Sequence, residues 1–198
     1  ALGRRLEGPL FRLAGVQPDE ETGWLRYALG LLVFNGLGVL AVYALQRWQA
    51  VLPLNPQGMA AVAPDSAFNT AISFVTNTNW QGYGGESTMS YLTQMLALTV
   101  QNFLSAATGL VVVIALVRGF SRHSAQSIGN VWADLTRATL WVLLPLSLVL
   151  AVVFAGQGVI QSLSPYTEVQ TLEAVHYDAP KLDSAGQPVL DAQGAPVT

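Results

Sequence analysis

Three stretches of this chain run without a charged side chain for long enough to cross a lipid bilayer. They are residues 27–45, 91–117 and 138–160, and the shortest has about 19 residues, close to the roughly 20 that span about 30 Å of hydrocarbon as a helix. Apolar residues make up 52% of the chain and charged residues only 11%, against roughly 25% charged in a soluble domain. The sequence therefore predicts an all-α membrane protein with three transmembrane helices.

A polar run separates the first two of these stretches. Residues 74–85 read Phe-Val-Thr-Asn-Thr-Asn-Trp-Gln-Gly-Tyr-Gly-Gly, and the apolar stretch at 67–75 is too short to span a membrane. Non-helical backbone at membrane depth survives only where protein buries it or water lines it, and carbonyls in such loops can replace the hydration shell of a cation. This order of segments predicts a re-entrant pore helix at about 65–76 and a filter loop at about 76–82, and hence ion transport.

The predicted filter loop offers oxygen ligands without a fixed charge. Gly82, Gly84 and Gly85 are expected to reverse the chain, since glycine has no Cβ to clash. The C-terminal end of the pore helix would add roughly half a negative charge, which favours a cation. The candidate ligands are the backbone carbonyls of Thr76, Asn77, Thr78 and Asn79, with Gln81 beside them either lining the filter or only bracing the loop.

The cations indicate how the chain is oriented. Seven of the nine Lys and Arg residues lie in residues 1–26 and 118–137. The positive-inside rule places both parts in the cytoplasm, as an N-terminal segment at 1–24 and an amphipathic linker helix at 118–137. The loop mouth and the polar stretch 161–198 then face outside. Three crossings give this alternation only if residues 65–85 enter and leave the membrane on the same side, which supports a re-entrant loop independently.

Composition argues against several other classes of protein. The chain has no Cys, which excludes disulfides, thiol catalysis and Cys-bound zinc. His123 and His176 lie far apart and neither belongs to a metal-ligand pattern, while a net charge of −3 argues against nucleic-acid binding. Polar and small residues inside the predicted spans are expected chiefly to pack against other helices; they are Asn35, Gln94, Gln101, Asn102, Ser105 and Gly109.

Five segments of the sequence are similar to those of one known family. They are 74–81 (Phe-Val-Thr-Asn-Thr-Asn-Trp-Gln), 91–95 (Tyr-Leu-Thr-Gln-Met), 98–107 (Leu-Thr-Val-Gln-Asn-Phe-Leu-Ser-Ala-Ala), 52–57 (Leu-Pro-Leu-Asn-Pro-Gln) and 140–145 (Leu-Trp-Val-Leu-Leu-Pro). Together they resemble the potassium-binding A subunit of the bacterial Kdp potassium-transporting P-type ATPase. The similarity runs from about residue 7 to about residue 166.

The resemblance implies a specific architecture and function. Members of that family have four covalently joined, potassium-channel-like repeats around one filter. Residues 25–117 would be the first repeat and 138–160 the first helix of the second, which makes this chain an N-terminal fragment with one quarter of a filter. The filter segment of the first repeat falls on Thr76 to Asn79, with Gln81 next to it.

The same resemblance implies the ion, the partners and the location. The transported ion is K⁺, selected from the outer side in the bacterial inner membrane. The implied partners are the remaining repeats of the polypeptide, the ATP-hydrolysing B subunit, small accessory subunits and membrane lipid. The chain itself would not be an enzyme, and it has no phosphate-binding loop and no phosphorylatable Asp motif.

Two other functions stay open from the residues alone. One is an ATP-independent potassium transporter or channel with the same pore architecture. The other is a membrane scaffold protein in which residues 65–90 are only an exterior loop. The Trp-Gln pair that follows Thr-Asn-Thr-Asn favours the pump subunit, by resemblance.

Overall fold

The computed structural model describes residues 2–122, 126–167, 181 and 187, with the side chains of residues 2–4 left out. His123, His176 and nearly all of the predicted outer stretch 161–198 beyond residue 167 lie outside the described residues. The chain divides into two compact units, residues 1–165 and 166–198, and the helices of the described part of the chain belong to the first. The helices are α1 (Leu2–Leu13), α2 (Trp24–Trp48), α3 (Pro64–Val75), α4 (Gly85–Thr88), α5 (Thr93–Ser121) and α6 (Val131–Gly156).

The expectation of an all-helical chain with three long apolar helices is confirmed. Trp24–Val51, which adds a 3₁₀ turn to the end of α2, has a mean hydropathy of 2.1, and α5 and α6 have 2.0 and 2.4. With 28, 29 and 26 residues, each exceeds the roughly 20 residues that cross a bilayer. Most of their apolar side chains are exposed in this chain, as expected of surfaces that meet lipid or further transmembrane helices.

Both α5 and α6 contain a stretch of wider π-helix. In α5 the first turns, Thr93–Thr99, are π-helical, and in α6 the stretch is Ala138–Leu143. The second stretch ends just before Pro145, whose nitrogen has no hydrogen to donate to the preceding turn. A π turn at this point takes up the interruption without ending the helix.

The predicted linker helix at 118–137 is wrong in its bounds. Helix α5 ends at Ser121, and residues 131–137 are the first turns of α6 rather than a separate surface helix. Asn130 caps this start, since its side-chain oxygen accepts hydrogen bonds from the backbone N–H groups of Trp132 (3.1 Å) and Ala133 (3.2 Å). The third span therefore begins seven residues before the predicted 138 and ends at Gly156 instead of 160.

The helix ends meet in two separate groups. At the first residues of α2, Thr22 forms an isolated β-bridge with Gly129, which precedes α6, and Tyr27 donates a hydrogen bond to Asp134 of α6. At the other end of α2, Gln49 donates to the carbonyls of Ala60 and Thr88. The start of α2 thus lies with the end of α5 and the start of α6, while the end of α2 lies with the starts of α3 and α5.

Helix α1 is held against the start of α6. Glu7 accepts hydrogen bonds from the Arg137 side chain at 3.2 Å and from the Trp141 indole at 2.6 Å. The Arg137 guanidinium also lies 5.9 Å from the centre of the Phe11 ring, within the range of a cation–π contact.

In the segment between α1 and α2, the Glu21 carboxylate accepts hydrogen bonds from Ser127 and Arg122, and these bonds lower the pKa of Glu21.

Candidate functional site

The short helix α3 runs back along α2. Near the start of α3, the carbonyl of Ala67 accepts a 3.1 Å hydrogen bond from the side chain of Gln46, which lies near the end of α2. At its end, Val75 and Thr76 line a cavity together with Asn35 of α2. Asn35 precedes Gln46 by eleven positions, which corresponds to about 16 Å along a helix. The end of α3 therefore lies level with the middle of α2, far from the point where α3 begins.

The turn after α3 wraps its N–H groups around the end of the helix. The N–H of Asn77 donates to the carbonyl of Phe74 at 3.3 Å, and those of Thr78 and Asn79 both donate to the carbonyl of Ser73, at 2.9 and 3.2 Å. Converging N–H groups of this kind often form a site for an anion. Here the concavity is filled by the Ser73 oxygen, so the turn is closed to an anion on that side.

Two asparagines in the left-handed region make this turn. Asn77 has φ 58° and Asn79 has φ 56°, while Thr76 has φ −81° and Thr78 is not among the residues with positive φ. Alternation of this kind turns successive peptide groups to the same side. Asparagine tolerates the left-handed region better than other residues with a Cβ, which explains its use at both positions.

The carbonyls of the turn face away from α3. In a trans peptide the C=O of one residue is antiparallel to the N–H of the next, so the three N–H groups that reach the helix end direct the oxygens of residues 76–78 to the opposite side. Among the described residues, no hydrogen bond ends on the carbonyl oxygens of residues 76–79. Residues 76–82 are exposed, whereas Ser73, Phe74 and Val75 are buried. The carbonyl oxygens of residues 76–79 are thus without hydrogen bonds in the described part of the chain, on a turn that hydrogen bonds hold to the end of α3.

The far side of the turn is held by a side-chain latch. The Ser73 hydroxyl donates to the carbonyl of Trp80 at 2.8 Å, so one serine holds both ends of the segment between them. Gln81 donates from its side chain to the Tyr83 hydroxyl at 3.3 Å, and Tyr83 packs against the buried cluster formed by α2, α3 and α5. These contacts fix the residues that leave the turn.

The predicted glycines do not make the reversal. Gly82, Gly84 and Gly85 are absent from the glycines with positive φ, and the left-handed residues in this segment are Asn77 and Asn79. A Cβ on Gly82 would lie 3.1 Å from the Trp80 ring, so close packing explains that glycine better than backbone freedom does.

A cavity of about 930 Å³ opens beside the turn. Its walls come from the middle of each long helix, and Thr76 and Asn77 form one side of it. The lining residues of the three helices are Leu32 and Asn35 of α2, Ser105, Ala106, Thr108, Gly109 and Leu110 of α5, and Val142, Leu143 and Leu146 of α6. The turn and the cavity therefore share one level, halfway along all three long helices.

The structure brings four of the five predicted site residues together. Thr76, Asn77, Thr78 and Asn79 form a single turn, whereas the Gln81 side chain lies beyond it and is bonded to Tyr83. Sequence reasoning missed the anchoring role of Ser73 and the support from Tyr83. Neither residue carries a local signal, because each role depends on a partner that only the folded turn brings close.

Comparisons with known proteins identify relatives over nearly the whole chain. Residues 1–194 match the family model described as Potassium-transporting ATPase A subunit. The chain is 68% identical over 197 residues to the potassium-transporting ATPase potassium-binding subunit of Dechloromonas aromatica, covering 100% of this chain and 33% of the relative. It is 67% identical over 198 residues to the subunit of the same name from Bordetella pertussis, with the same coverage.

The chain spans about a third of the length of these curated relatives. A third one, from Chromobacterium violaceum, is 67% identical over 192 residues, which are 97% of this chain and 32% of the relative. These matches confirm the resemblance inferred from the five segments between residues 52 and 145. The chain belongs to the family of potassium-transporting ATPase A subunits.

Proposed function

We propose that α3 is a re-entrant pore helix, that residues 76–82 are its filter loop, and that the backbone carbonyls of residues 76–79 are potassium ligands. The observation that carries this proposal is the position of the turn. It lies level with the middle of all three long helices, and its free carbonyls face away from the helix that supports them. Unpaired backbone oxygens at such depth are expected only where they line a water-filled path or meet an ion.

Electrostatics favours a cation over an anion at this turn. Helix α3 ends at Val75 with Thr76 as its cap, so its negative end is directed at the turn. The N–H groups that would attract an anion are already bonded to Ser73 and Phe74. Carbonyl oxygens can replace the water of a potassium ion and still release it, because they carry no full charge.

In the intact protein, this chain supplies one quarter of the filter. Residues 25–117 form the first repeat, and α6 is the first helix of the second. The chain leaves α6 on the outer side of the bacterial inner membrane, and residues 1–24 lie in the cytoplasm. Three further repeats of the same polypeptide complete the ring of ligands.

The complete protein then works as the channel-like component of an ATP-driven uptake pump. The relatives are named as potassium-binding subunits of a potassium-transporting ATPase, which supports this assignment over an ATP-independent transporter. K⁺ is selected from the outer side and passed to the ATP-hydrolysing partner, with small accessory subunits and lipid completing the complex. ATP hydrolysis takes place in that partner and not in this chain.

A pair of substitutions at Asn77 tests whether backbone oxygens are the ligands. Asn77→Gly keeps φ near 58° without strain, whereas Asn77→Val puts a β-branched residue where that φ is strongly disfavoured. In the full-length protein within its complex, we expect Asn77→Gly to keep the K⁺ concentration for half-maximal ATP hydrolysis nearly unchanged. We expect Asn77→Val to raise it about tenfold or more, the equivalent of strain of roughly 1–3 kcal/mol.

Other outcomes would indicate a different ligand or a different function. An equal loss in both variants would make the Asn77 amide the ligand and remove the carbonyls from the account. No change in either variant would support a scaffold with an exterior loop. Uptake that is K⁺-dependent but insensitive to ATP depletion would favour the ATP-independent transporter.

A further inference from the structure

The side chain of Gln49, in the 3₁₀ turn at the end of α2, is completely buried and makes four hydrogen bonds. Its nitrogen Nε2 donates to the carbonyls of Ala60 at 2.5 Å and Thr88 at 2.8 Å. Its oxygen Oε1 accepts from the backbone N–H of Ser90 and from the Thr93 hydroxyl, both at 3.1 Å. An amide has two hydrogens and two lone pairs, so this one is fully occupied.

The four partners lie on both sides of the segment that contains α3 and the turn. Ala60 lies shortly before α3 begins. The other three partners follow the turn, at residues 88–93, and lead into α5. In the described part of the chain, no hydrogen bond runs directly from residues 60–63 to residues 87–90. Gln49 therefore bridges the place where the chain enters α3 and the place where it returns to α5.

An amide matches the chemistry of all these partners. The carbonyls of Ala60 and Thr88 need donors, whereas the Ser90 N–H needs an acceptor. In Gln49→Glu the side chain keeps its shape, but an ionised carboxylate donates to neither carbonyl, and the neutral form has one hydrogen for the two. The bridge therefore depends on the amide itself and not only on a side chain that fills the space.

Helix α3 carries the position of this bridge to the turn. It has 12 residues, which make about 18 Å of helix, and a hydrogen-bonded helix does not stretch easily. Residues 77–79 are bonded through their N–H groups to Ser73 and Phe74 at its end. A shift of the first residues of α3 along the helix axis therefore displaces the carbonyls of the turn by a similar distance.

We infer that Gln49 is a positioning residue for ion selectivity, because its bridge between Ala60 and Thr88 fixes the depth at which the carbonyls of residues 76–79 meet the ion. This inference rests on the proposed function, which makes those carbonyls potassium ligands. Ions of the same charge differ chiefly in size, so a set of oxygens discriminates between them only as far as its number and spacing are fixed. Loosening one quarter of the ring lets K⁺ and Rb⁺ bind more alike.

The test measures ATP hydrolysis by the full-length protein within its complex at a series of K⁺ concentrations and, separately, of Rb⁺ concentrations. Gln49→Glu removes the bridge at constant side-chain shape. Thr93→Val removes only one donor to Gln49, and it decides the matter if Gln49→Glu fails to assemble. Asn55→Ala is the matched control, because the three hydrogen bonds of the Asn55 side chain stay within residues 49–59 and leave the bridge intact.

We expect the ratio of the half-maximal concentrations, Rb⁺ over K⁺, to fall toward one in Gln49→Glu by about threefold or more, as for one lost hydrogen bond. The ratio should fall by less in Thr93→Val and stay constant in Asn55→Ala. A purely structural role would reduce the amount of active complex or shift both ions alike, and either effect leaves the ratio constant. A constant ratio in Gln49→Glu, or in Thr93→Val where Gln49→Glu does not assemble, overturns the inference, as does an equal fall in Asn55→Ala.

The Asn77→Val variant separates this inference from the proposed function. If Asn77→Val raises the K⁺ concentration for half-maximal hydrolysis while the ratio stays constant in Gln49→Glu, the inference fails and the proposed function stands. If Asn77→Val leaves the K⁺ response unchanged as well, the proposed function fails and the inference fails with it.

Discussion

Arg118 and Asp134 are joined by two hydrogen bonds, 2.5 Å from Nη1 to Oδ2 and 3.0 Å from Nη2 to Oδ1. The Asp134 side chain is only 7% exposed, and it also accepts a 2.9 Å hydrogen bond from the Tyr27 hydroxyl. The three residues belong to α5, α6 and α2. One carboxylate therefore ties together all three long helices, at the end of the bundle opposite the start of α3.

Replacing Asp134 with Asn should destabilise this bundle substantially. The change leaves the partly buried Arg118 guanidinium without a counter-charge, and breaking a buried pair in this way costs roughly 3–5 kcal/mol, less here because Arg118 is 29% exposed. Glu21→Gln is the control, since it removes an exposed partner of Arg122, and exposed ion pairs contribute little to stability. Thermal unfolding in detergent, followed by tryptophan fluorescence, would show equal losses for the two variants if Asp134 had no special role.

Gly129→Ala should be nearly as damaging, for a steric reason. Gly129 has φ 117°, and a Cβ there would lie 2.2 Å from Nη1 of Arg118, so the substitution strains the backbone and displaces the guanidinium from Asp134. Gly36→Ala is the matched control, because Gly36 lies within α2 with nothing near its Cβ position, where alanine favours the helix by about 0.5–1 kcal/mol. We expect a lower unfolding temperature for Gly129→Ala and no decrease for Gly36→Ala. A decrease of similar size in both would indicate that the Gly36 position is as tightly packed as the Gly129 segment.

Ser73→Ala should loosen the proposed filter loop without unfolding the protein. The variant loses the 2.8 Å bond to the Trp80 carbonyl, a contact worth roughly 0.5–1.5 kcal/mol. We expect the K⁺ concentration for half-maximal ATP hydrolysis in the full-length complex to rise about three- to tenfold. In Ser87→Ala, which removes a bond of the same kind to Gly84 at 3.2 Å in an exposed segment, it should stay constant. A normal K⁺ response in Ser73→Ala would mean that the latch does not shape the site.

Gln81→Arg should weaken apparent K⁺ affinity markedly in the full-length protein. Gln81 is exposed directly after the turn, and its amide lies 3.3 Å from the Tyr83 hydroxyl. An arginine at that position would place a fixed positive charge near the entering ion, and the two like charges would repel each other. Gln81→Met keeps the length of the side chain without the charge and should have a much smaller effect. Unchanged uptake at low external K⁺ in Gln81→Arg would remove Gln81 from the site.

Hydropathy alone predicted the three long helices, because each carries about twenty uncharged residues and a bilayer requires that length. It misplaced the start of α6, since Asp134 and Arg137 marked residues 131–137 as solvent-exposed. Asp134 is in fact neutralised by Arg118, sixteen residues earlier in the chain. Such a pairing across two helices leaves no trace in the local pattern.

At the turn after α3, too, the sequence pattern predicted the position, while contacts in the fold decide the backbone conformation. The run of Thr and Asn at 76–79 marked the turn, and the structure has a single turn there. The sequence favoured the glycines for the reversal, but Asn77 and Asn79 adopt the left-handed conformation instead. Which residue adopts that conformation depends on the N–H groups of Thr78 and Asn79, which both donate to the carbonyl of Ser73. The Ser73 carbonyl can accept these bonds only because α3 ends at Val75.

The central claim is that the turn after α3 lies deep in the membrane, and single cysteines measure its depth most directly. Cysteines would replace Ser66, Thr76, Asn79 and Glu86 one at a time, in a full-length protein freed of other cysteines, and a charged thiol reagent would be applied from the outer side. We predict fast labelling at positions 66 and 86, slow labelling at 76 and 79, and further protection of 76 and 79 by K⁺. Equal and K⁺-independent labelling at all four positions would place the turn outside the membrane and contradict the account.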